Sequence, residues 1–384
     1  MSEVAGLSSI VAMGPSVQDT SKGQGQGRVI FLASGGISAD VIFHNGLHQN
    51  TLLLYDMFES MGYVCYLLMD KRPTKGTVPG YKFILPEDYI HSDQGRVHAY
   101  IEIGMSLDAS WRTLLQGWGA TVIKLYLGNI LNIDVETTTR IKGLFFSHHV
   151  GSTHVDRVWT SPHYATNLSY AAAINGLDEA TIAPYVWDPC FIGTMAPWTP
   201  DPRSWIHTDL VIPEPNISFQ KCYLYPLLLA DQFATRCPAW KGRIIVQNAK
   251  HLQEQNPYFN EVVASLNLGT RLVLKGRQSV LDITAENRHA AFLCHQYNND
   301  YNYMTMELMY AGYPVLHNGK GWGEYGYAWE VDRWEEALQA LLDMLQGHGS
   351  RAAIYKAQSR QLAWQHSPWN PALRAVWQRL LDAE

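Results

Sequence analysis

The polar tract behind the apolar run 290–294 gathers the most side chains able to bind a ligand: His295, Gln296, Asn298, Asn299, Asp300 and Asn302. Amides and imidazoles donate and accept hydrogen bonds without fixed charge, which suits hydroxyls and phosphate oxygens. The tract opens a segment of helical spacing in which Glu307 stands four residues from Tyr303, so both share one helix face. Gly312 ends that helix, Pro314 starts the next strand, and His317 and Asn318 close the tract. A second group lies near the start of the chain, where the loop FHNGLHQN carries His44, Asn45, Gly46, His48, Gln49 and Asn50. Glu102 and Asp108 flank the end of a later strand. A histidine or carboxylate in such a place can take a proton from a hydroxyl, which makes His48, Glu102 and Asp108 the candidate bases.

These residues need elements to hold them. The run 28–34 reads as a buried strand stopped by Gly35-Gly36, followed by a helix over 51–61 and a strand over 63–69. The pattern repeats as strand 98–104, helix 108–116 with Asp108 as N-cap, and strand 121–127. Strand 157–160, helix 167–174 and the run 181–187 complete a first domain. The stretch 194–206 holds three prolines and no apolar period, as an interdomain connection would. Alternation then resumes with strand 209–213, helix 218–235, a largely helical 241–266, strands 271–275 and 290–294, helix 305–310 and strand 314–317. The tail reads as helices 334–345, 351–364 and 372–381.

Strands alternating with helices in both halves predict an α/β protein: two Rossmann-like, doubly wound parallel-sheet domains facing a cleft. The expected division is a disordered lead-in over 1–27, an acceptor domain over 28–190, a linker over 191–207 and a nucleotide-sugar domain over 208–368. A last helix, 369–384, is expected to pack back on the first domain. In such sheets ligands lie beyond the carboxyl ends of the strands, near helix N-termini that favour phosphate.

The tract from Glu307 through Gly312, Pro314 and Val315 resembles the E-x-x-x-x-G-x-P-V signature of GT-B glycosyltransferases. With HNG in the first loop, HQ-x-x-N ending at Asn299, and the run 183–189 (APYVWDP), the chain is similar over about 28–384 to an uncharacterised bacterial and phage glycosyltransferase-like family. The resemblance implies that Glu307 binds the ribose hydroxyls of a nucleotide diphosphate-sugar such as a UDP-sugar. It implies a diphosphate grip at Asn216 and Lys221, where the family has Arg and Lys; Lys221 matches and Asn216 departs. Retaining members carry a further glutamate eight residues before the first, a place taken here by Asn299. His295, Asn302, Tyr303, His317 and Asn318 complete the implied donor set. His44, Asn45, Gly46, Gln49 and Asn50 would face a glycan or other hydroxyl acceptor. The implied enzyme needs no cofactor and no metal. A sugar-nucleotide epimerase of the same architecture and a non-catalytic nucleotide- or carbohydrate-binding protein are the rival readings.

Bulk composition agrees with a folded two-domain chain. Its 384 residues are 47% hydrophobic and 17% charged, with 13 Trp and 21 Tyr, far from the signature of disorder. A formal charge of -6 and the lack of a Lys/Arg block argue against nucleic acid as partner, although DNA-modifying members share the fold. The cysteines Cys65, Cys190, Cys222, Cys237 and Cys294 are odd in number and never form a CxxC pair, which argues against disulfides and zinc and fits a reducing cytoplasm. His148, His149 and His154 have no carboxylate or Cys at ligand spacing, so no metal is expected there. No apolar stretch approaches the roughly 18 residues of a membrane span.

Overall fold

The computed structural model describes residues 27–33, 35–43, 46–89, 97–139 and 148–383. Two units are formed, Met1–Phe191 together with Trp364–Glu384, and Ile192–Ala363.

The first unit runs β1 (Val29–Ala33), α1 (Gly46–Ser60), β2 (Val64–Leu68), β3 (Phe83–Ile84), α2 (Pro86–Tyr89), β4 (Val97–Glu102), α3 (Ala109–Gly117), β5 (Thr121–Tyr126), α4 (Ile130–Thr139), β6 (Arg157–Thr160), α5 (Leu168–Ile174) and β7 (Thr181–Ile182). All pairings are parallel and the strand order is β3-β2-β1-β4-β5-β6-β7. The central strand β1 is an unbroken buried run, VIFLA, because a parallel sheet is covered on both faces. The C-terminal helix Pro371–Asp382 completes this core: Trp377 packs edge-on against Phe58 and Trp159, with ring centroids 5.7 Å away in each case.

Helix α4 falls where no element is expected. Its sequence, ILNIDVETTT, is rich in Ile, Val and Thr, which are weak helix formers, so the helix depends on tertiary packing. Helix α1 also starts earlier than expected, at Gly46.

The second unit contains β8 (Leu210–Ile212), α6 (Leu224–Arg236), β9 (Ile244–Val246), α7 (Lys250–Gln255), α8 (Pro257–Ser265), β10 (Leu272–Leu274), α9 (Val280–Glu286), β11 (Ala291–Cys294), α10 (Tyr303–Tyr310), β12 (Val315–His317), β13 (Tyr327–Ala328) and α11 (Trp334–His366) up to Ala363. The C-terminal helix is α12 (Pro371–Asp382). Its sheet is likewise parallel, in the order β10-β9-β8-β11-β12-β13. Strand order therefore reverses between β8 and β11, the switch point at which such sheets open a crevice at their carboxyl edge.

Three expectations about single elements are corrected here. The stretch 241–266 is not largely helical: the β-branched, fully buried Ile244, Ile245 and Val246 pair in the sheet as β9, and Asn256 caps α8 with Pro257 as its first residue. The helix expected from 218 begins only at Leu224. Residues 334–366 form one helix, not two, since buried Leu341, Met344, Leu345, His348, Tyr355, Ser359 and Leu362 keep an apolar stripe that outweighs about 1 kcal/mol per internal glycine. The linker expected over 191–207 is laid along the second unit: Trp198 N–H donates to Ala311 O, Thr199 N–H to Arg288 O, and Tyr313 hydroxyl to Ala196 O.

A carboxyl buried in the first unit gives the fold a pH dependence. Asp56 of α1 accepts from Tyr81 hydroxyl at 3.0 Å, yet burial pushes it up to about 7, with Asp188 and Glu59 adding to the shift. An acid raised in the folded state stabilises fully below its unfolded value near 3.8, and that contribution is lost as pH rises through about 7. Parent protein should lose on the order of 3 kcal/mol between pH 5 and pH 8 that Asp56→Asn retains. Denaturant unfolding at both pH values checks this, and an equal loss in the variant would refute it.

Candidate functional site

The carboxyl edge of the second sheet is organised by a residue that the sequence reading overlooked, Glu214. It follows β8 and is buried, with 1% of its surface exposed. Oε1 accepts the His295 backbone N–H at 2.8 Å and Oε2 accepts the Gln296 side-chain amide at 2.9 Å. The carboxylate thus spans the switch point, joining the end of β8 to the first residues past β11. Burial pushes Glu214 up to about 7, against the His295 hydrogen bond and the Lys221 charge that hold it down. Burial pushes Lys221 down while Glu214 pulls it up.

The loop after Glu214 is tied at three places. Asn216, at φ 55°, donates to Gln247 O at 2.8 Å and accepts Tyr223 N–H at 2.8 Å, fixing the end of β9 and the start of α6. Left-handed backbone suits asparagine better than most residues. Tyr297 N–H donates to Gln220 O at 2.7 Å, closing the 218–221 turn on the segment after β11. Asn318 exchanges two 2.8 Å bonds with the Gln296 backbone, binding the end of β12 to the same segment.

Inside this frame lie polar atoms without hydrogen-bond partners: both ring nitrogens of His295, both amide atoms of Gln247, and Oε1 of Gln220 and Gln296. All four residues are buried. Buried polar groups are ordinarily paired, so these four residues, each on a segment that follows the carboxyl end of a strand, are the candidates for ligand contact. His295 stacks on Tyr225 with centroids 4.5 Å apart, and burial lowers it to about 4, so at neutral pH it offers one donor and one acceptor. At the rim, the exposed rings of Phe219 and Tyr297 pair at 5.6 Å. Asn302 caps α10 by accepting Met304 N–H at 3.1 Å, Tyr303 is its first residue, and Glu307 is buried in its second turn. Asn299 is buried just before it. Gly312 ends α10 at φ 86°, where a Cβ would also lie 2.3 Å from Lys356 Cε.

The sequence-derived donor set divides between this edge and the frame that holds it. His295, Asn299, Asn302, Tyr303 and Glu307 belong to this edge. Asn216 and Asn318 are bound into its frame instead. His317 is buried with Nε2 donating to Tyr325 O at 2.8 Å and Nδ1 accepting Gly319 N–H at 3.2 Å, so its ring is used up in packing. Lys221 lies ahead of α6, not in its first turn, with its charge offset by Glu214.

In the first unit the three expected bases hold other posts. Asp108 is the exposed N-cap of α3, accepting Ser110 N–H at 2.9 Å and Trp111 N–H at 3.2 Å; the Ser110 hydroxyl chiefly holds it below the usual carboxylate range. Glu102, the last residue of β4, is buried against Arg112 at 2.8 and 3.1 Å and against Lys124 at 3.6 Å, so both its oxygens are engaged by cations. His48 donates through Nδ1 to Val41 O at 2.9 Å, which leaves the lone pair on Nε2. Gln49 and Asn50 are buried in α1, with Asn50 donating to Val186 O at 2.9 Å, so they face the core and not an acceptor. Gly46 opens α1, and His44 and Asn45 lie outside the described residues.

The sequence reading also passed over a pair here. Asp134 of α4 accepts the ring Nδ1–H of His149 at 2.7 Å, its backbone N–H at 2.8 Å and Tyr170 hydroxyl at 2.7 Å. Among the described residues no three His, Cys, Asp or Glu side chains are grouped to hold a metal ion. None of the described helices is long and apolar enough to cross a membrane.

Two parallel sheets of this order, each with its helices, define the fold of GT-B glycosyltransferases. The structure is similar to a glycosyltransferase from Rickettsia africae ESF-5 (13% identity, 93% of this chain and 99% of that one, TM-score 0.59). It is similar to sucrose-phosphate synthase from Thermosynechococcus elongatus (13%, 93% and 100%, TM-score 0.55) and to an alpha-glucosyltransferase in complex with UDP (8%, 92% and 99%, TM-score 0.55). No curated protein matches at a significant level. Within the fold, the chain belongs to the family described as Protein of unknown function (DUF2827), whose model matches residues 30–381.

The frame role of Asn216 is open to measurement. Asn216→Ala removes one buried and one half-buried hydrogen bond and places alanine at positive φ, so it should destabilise by ~2–4 kcal/mol. Unaltered unfolding by denaturant would return Asn216 to the list of ligand contacts.

Proposed function

We propose that the protein transfers a sugar from a nucleotide diphosphate-sugar to a hydroxyl acceptor, glycan or other, without a bound metal ion. The observation that carries this reading is the unpartnered wall of His295, Gln296, Gln247 and Gln220 at the switch point of the second sheet. In this reading Glu307 binds the ribose hydroxyls, and Lys221 with the N-terminus of α6 meets the diphosphate. Asn299, Asn302 and Tyr303 line the donor sugar. The neutral amides and imidazole supply directional bonds to hydroxyls and base edges. UDP is the natural first probe, since one of the similar structures holds it.

A second reading, a nucleotide-sugar binder without transfer, has one observation in its favour: Glu214 offsets Lys221, and Asn216 is committed to the loop, so the diphosphate grip has little net charge. Release of free UDP from UDP-sugars distinguishes transfer or hydrolysis from binding alone.

Glu307→Ala should weaken UDP affinity by roughly 10- to 100-fold, the worth of hydrogen bonds to a charged group. Calorimetric titration reads this directly, and unchanged affinity would sink the ribose assignment. EDTA should leave turnover intact.

Affinity for UDP-glucose, whose diphosphate does not titrate in this window, should rise roughly two- to ten-fold from pH 8 to pH 6. Below about 7 Glu214 takes up a proton and leaves the Lys221 charge to the ligand. Glu214→Gln should flatten the dependence. A reversed slope in the parent would refute the pairing of Lys221 with the diphosphate.

A further inference from the structure

We propose that the exposed rings of Phe219 and Tyr297 form a platform for a neutral saccharide, on which the C–H face of a pyranose ring lies. The platform is separate from the nucleotide contacts assigned above and does not require sugar transfer: a protein that only binds glycans uses the same surface.

Both rings belong to the second unit, on segments that follow the carboxyl ends of two adjacent strands: Phe219 between β8 and α6, Tyr297 between β11 and α10. They are 41% and 45% exposed, and their centroids lie 5.6 Å apart with the planes tilted by 59°. The backbone beneath each is fixed. Tyr297 N–H donates to Gln220 O at 2.7 Å, which joins the residue after Phe219 to Tyr297 directly. The turn carrying Phe219 is closed by Lys221 N–H to Ser218 O and by Asn216 N–H to Lys221 O, each at 3.2 Å. Ahead of Tyr297, Gln296 is pinned by Asn318 and Glu214, and behind it Asn298 holds a left-handed backbone at φ 48°. Rings on so fixed a base lose little freedom when they are covered, which lets a small contact area bind.

The surroundings of the pair select its occupant. An aromatic face carries negative charge and the C–H bonds of a pyranose carry slight positive charge, so the two attract while water leaves both. The residues beside the rings are neutral amides, Gln220 next to Phe219, and Gln296 and Asn298 next to Tyr297. The Oε1 atoms of Gln220 and Gln296 are without hydrogen-bond partners, so each segment carries an acceptor suited to a sugar hydroxyl. Glu214 and Lys221, on the same loop as Phe219, offset each other, which removes the pull on an anionic ligand. Two rings of this exposure offer on the order of 150–200 Å², against ~800 Å² on each side of a stable protein–protein interface. That area suits one or two sugar rings. A planar base gains most between parallel rings, and a pair tilted by 59° provides no such slot.

Recognition of this kind reads C–H faces and hydroxyls and exchanges no charge. Saccharide affinity should therefore be the same at low and high salt, since screening acts only on charged partners.

The test is saturation-transfer NMR with calorimetric titration of the full chain, using maltose, cellobiose and N,N′-diacetylchitobiose as saccharides and uridine as the planar alternative. At least one disaccharide should bind and receive saturation from aromatic protons on its C–H protons. Phe219→Ala and Tyr297→Ala should each weaken that binding roughly 10-fold or more, while Tyr297→Phe keeps most of it, because the ring and not the hydroxyl makes the contact. UDP affinity and the denaturant midpoint should be the same in all three variants. If alanine lowers the midpoint, Phe219→Leu and Tyr297→Leu, which keep apolar bulk without a ring face, take its place. Failure of all three disaccharides to bind, or binding that survives removal of both rings, refutes the platform and leaves the nucleotide-sugar reading untouched. Uridine or UDP affinity lost in the ring variants, with saccharide binding absent or unchanged, assigns the rings to the base and refutes it as well.

Discussion

The second unit depends on one buried carboxylate. Neighbouring parallel strands at a switch point send their chains in opposite directions, so no backbone ladder continues beyond β8 and β11 to hold the crevice rim. Glu214 supplies the missing connection, one oxygen to His295 N–H and the other to the Gln296 amide. A buried carboxylate is costly unless its oxygens are used, and here both are. With Gln296 pinned, Asn318 brings in the end of β12 and the Tyr297–Gln220 bond brings in the turn before α6. The imidazole of His295 and the amide head of Gln247 are then held in place without spending their own donors and acceptors. Preorganisation of that kind is what lets neutral groups contribute to binding.

The first sheet places a carboxylate beside its own switch point, between β1 and β4, but solves the burial differently. Glu102 ends β4 with Arg112 and Lys124 as partners, an ionic cluster in place of hydrogen bonds to a neighbouring loop. Removing one member would strand uncompensated charge, so such a cluster is rigid in effect even where its net stabilisation is small. Its rigidity passes to residues 152 and 153 through Lys124 and Arg112. One strand-end carboxylate ties the segments after β8 and β11 together, and the other anchors a loop.

Much of this was legible in the sequence, for reasons that differ by residue. Unbroken apolar runs disclosed β1, β5 and β11, and Asp108, with serine and tryptophan behind it, marked the start of α3. The Gly312 stop and the glutamate before it located α10. What escaped notice had no local signal. The β9 run of three residues is too short for periodicity to separate from the helices around it, and α4 is written in residues that favour strands. Asp134 and His149 are 15 residues apart in sequence and meet only through the packing of α4, so no spacing rule could pair them. Glu214 sits between two prolines and reads as a solvent-facing loop charge until the sheet order brings β11 beside β8. His317 looked chemically capable because sequence cannot show that Tyr325 O and Gly319 N–H already occupy its ring.

The character of the second-unit wall bears on what selects its ligand. A site lined by cations gains affinity from any phosphate of sufficient charge and discriminates little among them. Here Lys221 is offset by Glu214, and the remaining inward groups are amides and a neutral imidazole, whose bonds are directional. Leaving one such buried donor or acceptor unpaired costs ~1–3 kcal/mol, or about 5- to 150-fold in affinity, so a ligand lacking one hydroxyl or amide edge is penalised at each mismatch. In the proposed reading, selectivity at this edge of the sheet therefore resides in the hydroxyl pattern and base edge of the nucleotide-sugar. In the same reading phosphate charge supplies only a weak and pH-dependent share, because Glu214, which ties the strand ends together, also attracts Lys221.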